Sequence, residues 1–376
     1  MRLKASAKNL LLCVGILLSQ RLYAMPGNGL IYIPLSVPKH TANHSRVRFS
    51  FEPAYDFVSD SADYEGPVKK GESADSVKIS RYEGSHLIGD LQVNHDLLIN
   101  VGQWRRNFAN KRDTFSLMSR QIAFQYRLPW SWLGNTYALR LGGWSDRAEA
   151  LSKSSYTHLD DFKITSLVVE QPSDQQQQMN FMVARDLGAA RQLSAFIGLG
   201  RSRVDYQRIT GTFVRPDGCE YRFQLEKTSG SVDQQGRCGH LLSNSTVMPN
   251  VVSITNNLGF NPEDDLSYRS LFFQWGVGYA WRSHYWQTRL GYYFQKFDRQ
   301  GLDERIDQSG RDSVESNHSV SAEVTFHLNQ SVSFFWQGEY VTSRLLTMVP
   351  FSYNPYTAER FSEAGLFFAV GLRLSL

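Results

Sequence analysis

The stretch from Glu363 to Leu376 constrains this chain more than any other. Leu366, Phe368, Val370, Leu372, Leu374 and Leu376 fall on one parity, and every one is apolar. The interleaved set, Phe367, Ala369, Gly371, Arg373 and Ser375, is smaller and becomes more polar towards the end. A helix would scatter these residues around its circumference. A strand puts the first set on one face and the second on the other. The chain must therefore supply a sheet with one apolar face and one mixed face.

The same period of two recurs along the sequence. It is clearest at Leu271, Phe273, Trp275, Val277, Tyr279 and Trp281, and recurs at Trp286–Phe294, Val320–Leu328 and Val332–Tyr340. Upstream it appears at Val47–Phe57, Leu87–Val93, Leu97–Val101, Ile122–Leu128, Tyr137–Leu141, Met179–Val183 and Leu193–Leu199. Residues 162–169 also read as strand, inside a connecting loop or as an extension of the next strand, with the glutamine run at 175–178 taken as part of the connection. After residue 24 no run of 18 apolar residues occurs, which excludes transmembrane helices. Aromatic residues make up 13 % of the chain, which suits strands that are apolar only on alternate positions.

Residues 1–24 read as a secretory signal peptide. Arg2, Lys4 and Lys8 precede a short apolar run, Leu10 to Leu18, and Ala24 offers a small cleavage residue. Cys13 lies within that run and reads as an ordinary apolar signal residue. The segment also explains the apparent basicity. The chain has 40 basic and 36 acidic residues; without the signal's Arg2, Lys4, Lys8 and Arg21, the balance is 36 against 36. Nothing in that balance points to a nucleic-acid partner.

The terminal strand resembles the closing strand of Gram-negative outer-membrane β-barrels, with Gly371, Leu374 and Leu376 at the matching positions and Leu376 in place of the usual Phe. The resemblance implies an all-β fold, a transmembrane antiparallel up-and-down barrel in the bacterial outer membrane. It implies as partners the barrel assembly machinery, reached through the C-terminal strand, and outer-membrane lipid and lipopolysaccharide. Counting strands back from Leu376 and forward from Arg46 gives 12, or 14 if residues 148–178 hide another pair. In such barrels short turns face the periplasm and long loops face outward. On this reading residues 25–45 are a periplasmic segment, 46–376 form the barrel, and 210–265 form a long extracellular loop.

Parity then sorts the side chains. Arg48, Glu52, Asp90, Arg140, Arg289, Glu323, Glu339 and Arg373 point into the lumen, four of each sign. A pore strongly selective for one ion sign would carry an excess of one charge. Phe272, Phe335 and Phe367 also reach inward. Trp104, Trp130, Trp132, Trp144, Trp281 and Trp286 sit near strand ends and are expected in two interfacial girdles. Cys219 and Cys238 share the longest loop and are expected to pair; closing about 20 residues would contribute roughly 3 kcal/mol. That loop is expected either to fold into the pore or to stand outward.

The chemistry-bearing patterns are few. Asn317-His318-Ser319 resembles the Ser/His motif of the barrel phospholipases. Yet His318 and Ser319 lie on opposite faces of a strand and cannot pass a proton. Asp303, Glu304, Asp307 and Asp312 lack the fixed spacing of a calcium loop. The sequence therefore assigns no catalytic residue, metal or cofactor. The expectation is a narrow channel or transporter for small solutes. The alternatives are a non-conducting barrel that binds a ligand or partner through its loops and, third, a lipid-modifying enzyme.

Overall fold

The computed structural model describes residues 48–58, 81–109, 114–153, 157–159, 162–226, 230–235, 246–248, 262–308, 310–343, 345–346, 349–355 and 357–375; of residues 48–58 it describes the backbone alone. The expected signal peptide and the 25–45 segment lie outside the described residues, as does Cys238.

Twelve strands close into an antiparallel barrel. They are β1 (Arg48–Val58), β2 (Arg81–Gln92), β3 (Leu97–Ala109), β4 (Thr114–Trp132), β5 (Asn135–Ala148), β9 (Ser173–Asp186), β10 (Arg191–Asp205), β15 (Tyr268–Arg282), β16 (Trp286–Arg299), β17 (Ser316–His327), β18 (Val332–Val341) and β19 (Gly365–Ser375). Each pairs with the next, and β1 pairs with β19 from Ser50↔Ser375 to Val58↔Phe367, which leaves no open edge in this sheet. The closing strand β19 lies within the Glu363–Leu376 segment.

Most strands are longer than their apolar pattern. β4 begins at Thr114, eight residues before the alternation at Ile122 becomes visible, and β9 begins at Ser173 and takes in the whole glutamine run. That run was expected to be a connection. It forms strand because Asp174, Gln176, Gln178 and Asn180 fill the lumen side while Gln175 and Gln177 face out. With both faces polar, the period of two carries no contrast to read.

One barrel end has only short turns. At two of them the same device recurs. Asn94 Oδ1 accepts from the backbone N–H of Asp96 and Leu97, both at 2.8 Å, and Asn329 Oδ1 accepts from Ser331 and Val332, both at 2.8 Å. Between β4 and β5 the turn is Leu133-Gly134, with φ of 52° and 73°.

The other end carries the excursions. Between β5 and β9 come β6 (Ala150–Lys153), β7 (Thr157–Leu159) and β8 (Phe162–Glu170); between β10 and β15 come β11 (Arg208–Val214), β12 (Glu220–Leu225), β13 (Gly230–Gln235), β14 (Thr246–Met248) and helix α1 (Pro262–Leu266). These two excursions fold together. β8 pairs with β11, making a second, seven-stranded sheet with its own core of Ile164, Tyr206, Ile209, Phe213, Phe223 and Leu225. Residues 162–169 are thus strand within a loop and add no crossing to the barrel. Helix α2 (Leu302–Gln308) joins β16 to β17, and two 3-10 turns, Pro350–Ser352 and Ala358–Ser362, lie between β18 and β19.

Candidate functional site

The outer wall is apolar through its middle. Leu87, Val101, Phe181, Ile197, Leu199, Trp275, Leu290 and Phe334 all point outward and exposed. A water-facing sheet would carry polar groups there, whereas a continuous apolar belt needs a lipid solvent. Among the described residues no helix is long and apolar enough to cross a membrane. At the short-turn end Trp130 and Trp132 are 57 % and 69 % exposed, and Trp281 packs edge-on against Trp286 at 4.6 Å. The closed wall and its apolar belt are those of a membrane-spanning β-barrel. The long connections, with α2, the second sheet and the β18–β19 connection, share one end and the short turns the other; barrels of this kind turn the long connections outward, and that end is called the outer end below.

Two expected girdle tryptophans are not at the wall. Trp104 and Trp144 are 3 % and 1 % exposed, inside the barrel, with ring centroids 4.5 Å apart. Parity is the reason. Trp104 shares its face of β3 with Asn100 and Arg106, and Trp144 shares its face of β5 with Arg140 and Asp146; all are buried. His86 joins the pair at 5.8 Å from Trp104. Proximity to a strand end was the wrong criterion, because β3 and β5 run beyond the apolar belt.

Within the lumen the expected charges separate into distinct groups. Glu323 lies between Arg289 and Arg373, each 3.4 Å from Glu323 Oε1, and it also accepts from Thr325 at 2.8 Å. Arg373 further covers the Phe335 ring, 5.4 Å from its centroid. Glu339 is not part of this group. It is buried and accepts from Ser319 Oγ. Asp90 accepts from Asn100 Nδ2 at 2.7 Å, and Asn100 Oδ1 in turn accepts from Gln121 at 2.5 Å and Arg140 at 3.3 Å. Arg48 and Glu52 occupy β1 opposite Gln92 and Ile88; their side chains lie outside the described residues.

Sequence reasoning missed two further lumen clusters. Arg106 pairs with Asp146 at 2.7 Å, both essentially fully buried, and Ser119 hydrogen-bonds to both. Asp174 accepts from Ser202 at 2.6 Å and Gln176 at 2.5 Å. Parity with Arg140 would have found Asp146. Reasoning from charge alone also overlooked the amides. Gln274 donates to Gln178 and Asn180 at 2.8 and 2.5 Å, and Tyr293 donates to Gln274 at 2.8 Å. Gln121, Gln125, Gln287, Gln295 and Gln337 are buried as well. The lumen is therefore dominated in number by neutral groups that both donate and accept.

The connection between β18 and β19 closes the outer mouth. Leu346, Val349, Phe351, Tyr353, Ala358 and Phe361 are all buried in one cluster with Phe108 of β3, Leu117 of β4, Ala148 of β5, Val204 of β10 and Tyr268 of β15. Those strands lie around the barrel from β18 and β19, so the segment crosses the opening. Tyr268 Oη fixes its far point by donating to the Pro350 carbonyl at 3.0 Å. Tyr353 is the centre of the plug. Its hydroxyl accepts from the Val314 N–H at 2.7 Å, Phe361 packs edge-on at 5.0 Å, and the Arg299 guanidinium lies 4.1 Å from its ring centroid. Arg299 also donates to Asp303 at 3.0 Å and to the Val314 carbonyl at 2.9 Å, tying β16, α2 and the plug together. Burial pushes the Tyr353 hydroxyl up to about 12, so it stays protonated at physiological pH. Burial likewise raises Asp303, with Arg299 acting the other way.

Of the two placements expected for the Cys219–Cys238 loop, its described residues take the outward one and do not enter the pore. Among the described residues, the mouth core is drawn from residues 342–364, α2 and the barrel rim. The strands beside Cys219 instead pack in the second sheet, where Cys219 itself touches the core. A Glu170–Arg208 pair at 2.6 Å links β8 to β11, and that hydrogen bond raises the Arg208 pKa. Tyr206 at the sheet's base is likewise pushed up by burial. His318 and Ser319 face opposite ways. His318 bonds Tyr292 at 2.8 Å on the outer face, while Ser319 bonds Glu339 within. Asp303 is engaged by Arg299, and among the described residues no three potential ligands converge on a metal position.

No protein-family profile matches the chain, and no curated protein matches it. Among solved structures it is similar to the translocator domain of autotransporter NalP from Neisseria meningitidis, at 10 % identity and a TM-score of 0.42, covering 89 % of this chain and 90 % of that one. LpxR from Salmonella typhimurium is similar at 8 % identity and 0.39, covering 86 % and 99 %. The NanC porin stands at 8 % and 0.37, covering 87 % and 100 %.

Proposed function

We propose that this barrel is a gated pore for small, polar, uncharged solutes, closed at its outer mouth by residues 342–364. The amide network of Gln178, Asn180 and Gln274 is the observation that carries the reading. Amides offer donors and acceptors at once and hold neither ion sign, so they suit a hydroxyl-rich solute better than a salt ion. Several lumen charges are engaged with one another, as at Glu323 with Arg289 and Arg373 and at Arg106 with Asp146, which reduces their net field. The reading assigns no chemical step to the chain. It also places the expected Cys219–Cys238 bridge, supported by the bonded state of Cys219, in the outward sheet as a brace rather than a gate.

A second reading has its own support. The lumen is tightly filled, with Arg106 at 1 % and Arg140 and Gln125 at 3 % exposure, as in a barrel that carries a binding surface and no passage. Replacing residues 344–362 by a short Gly-Ser turn separates the two. Liposomes containing this variant should swell in isotonic neutral sugars while wild-type liposomes swell slowly. If the variant folds, as judged by heat-dependent gel mobility, and its liposomes swell no faster, the pore reading fails and the second sheet becomes the functional surface.

A further inference from the structure

The outer wall is not uniform around its circumference. On the side formed by β3, β4, β5, β9, β10 and β15, outward residues can be followed in register rows across six strands. One row reads Ile99, Phe124, Leu141, Met179, Leu199 and Phe273, every member apolar. Two rows nearer the outer end it reads Gln103, Arg120, Ser145, Gln175, Arg203 and Arg269. The row between contains Arg201, and the row beyond contains Arg105 and Arg147. The wall thus passes from wholly apolar to cationic within two rows, and all six arginines are exposed.

At about 4.8 Å between strands, the field is roughly 24 Å wide. Its internal contacts leave the charge in place. Arg201 donates from Nε and Nη2 to the neutral Gln177 Oε1 at 2.9 and 2.6 Å, which holds the guanidinium flat against the wall. Arg120 touches the Met118 sulfur at 3.6 Å. Arg203 meets Asp205 at 3.0 Å, a pair open to solvent. The opposite wall differs. Among the described residues, β17, β18 and β19 present no outward Lys or Arg; His318, Tyr340 and Leu366 stand there instead.

Six cations at the edge of a lipid-facing belt, on one side only, need an anionic partner lying in the membrane plane. We propose that this arginine field is a docking site for the phosphate groups of an outer-leaflet glycolipid, lipopolysaccharide. Its acyl chains cover the apolar row from Ile99 to Phe273, and its phosphates meet Arg120, Arg203 and Arg269. Guanidinium groups bind phosphate through paired donors, and the adjoining apolar row supplies the chain contacts that a free anion could not use. The field lies beneath the second sheet, so a bound glycolipid would orient that sheet over a fixed patch of membrane.

The test uses the full-length mature barrel, purified in detergent, with the triple variant R120Q/R203Q/R269Q and a control, R215Q/R222Q, whose charges lie in the second sheet. All substituted residues are exposed, and heat-dependent gel mobility reports that each protein is folded. Titration with purified lipopolysaccharide at low salt should show binding by wild type and control. The triple variant should bind on the order of a hundredfold more weakly, the scale expected for three cations beside an anionic lipid surface. Dephosphorylated lipopolysaccharide should bind wild type as weakly as intact lipopolysaccharide binds the triple variant, and raised salt should weaken wild-type binding. Equal binding by wild type and triple variant, an equal loss in the control, or undiminished binding of the dephosphorylated lipid would each overturn the proposal. So would competition by inorganic phosphate at concentrations matching the glycolipid, since that would mark an anion site with no lipid component.

Discussion

Tyr353→Ala should open the outer mouth. The side chain is fully buried, and its removal leaves a cavity of aromatic size among Phe361, Arg299 and Tyr268. Large-to-small changes of this kind cost about 3–5 kcal/mol. The Val314 N–H also loses the Tyr353 hydroxyl as its acceptor, and orphaning a buried or part-buried donor costs about 1–3 kcal/mol. The two terms overlap, and about 4 kcal/mol is a conservative sum, equivalent to a shift on the order of a thousandfold in the ratio of undocked to docked plug. The barrel wall should survive, because its ladders do not pass through residues 342–364. Single-channel recording in planar bilayers is the assay. Wild type should be silent or open rarely, and the variant should open for a large fraction of the record. Tyr353→Phe keeps the ring and loses the acceptor, so it should fall between them, about tenfold to a hundredfold above wild type. Limited proteolysis read in parallel distinguishes the two ways of being wrong. If Tyr353→Ala exposes residues 342–364 to protease yet stays silent, the passage is blocked below the mouth. If neither protease sensitivity nor conductance changes, the plug is not held as its packing indicates.

Four further expectations follow from the same geometry. The Tyr353 hydroxyl is held at about 12 when docked and returns towards 10 when released, so docking is undiminished below pH 10 and weakens as pH rises towards 12; the wild-type open fraction should climb across that window, and Tyr353→Phe should reduce the response to the part carried by the Tyr268 hydroxyl, which burial also raises. Glu323→Gln strands Arg289 and Arg373, so reversal potentials of the opened pore should move towards anions and stability should fall by about 3 kcal/mol, whereas Glu339→Gln, which faces no arginine in this group, should leave selectivity unchanged. Gly198→Ala would place a methyl against Asn180 and within 2.8 Å of the Met179 carbonyl, so the temperature of heat-induced gel shift should drop, reflecting a loss of about 1–3 kcal/mol; an unchanged temperature would show that the β9–β10 pairing has slack. On intact cells an impermeant maleimide should label Glu304→Cys and spare Asn329→Cys, and the reverse pattern would invert the barrel.

What could be read in the sequence was decided by contrast between the two faces of each strand. β15 and β19 alternate a lipid face with a lumen face through nearly their whole length, and both are plain in the sequence. β9 is different. Its lower half alternates Met179, Phe181 and Val183 with Asn180, Met182 and Ala184, but above Met179 both faces are glutamine and aspartate, because that part of the wall rises out of the lipid. The same loss of contrast hid the upper halves of β3, β4 and β5. It led two lumen tryptophans to be placed in a girdle and left Arg106–Asp146 unnoticed. The arginine field lies in this same zone, so what blurred the strands is what marks the membrane boundary. The plug was invisible for another reason. Leu346, Val349, Phe351, Tyr353 and Phe361 follow no period of two or 3.6, since each is buried by a different strand of the rim. A segment that fills a ring from inside has its spacing set by the ring, and no local pattern in its own sequence can report that. Its one sequence-level trace is compositional: an outward loop surrounded by water has no use for this many apolar and aromatic residues in some twenty positions. Between β18 and β19 that excess is the mark of a loop that turns back into the barrel.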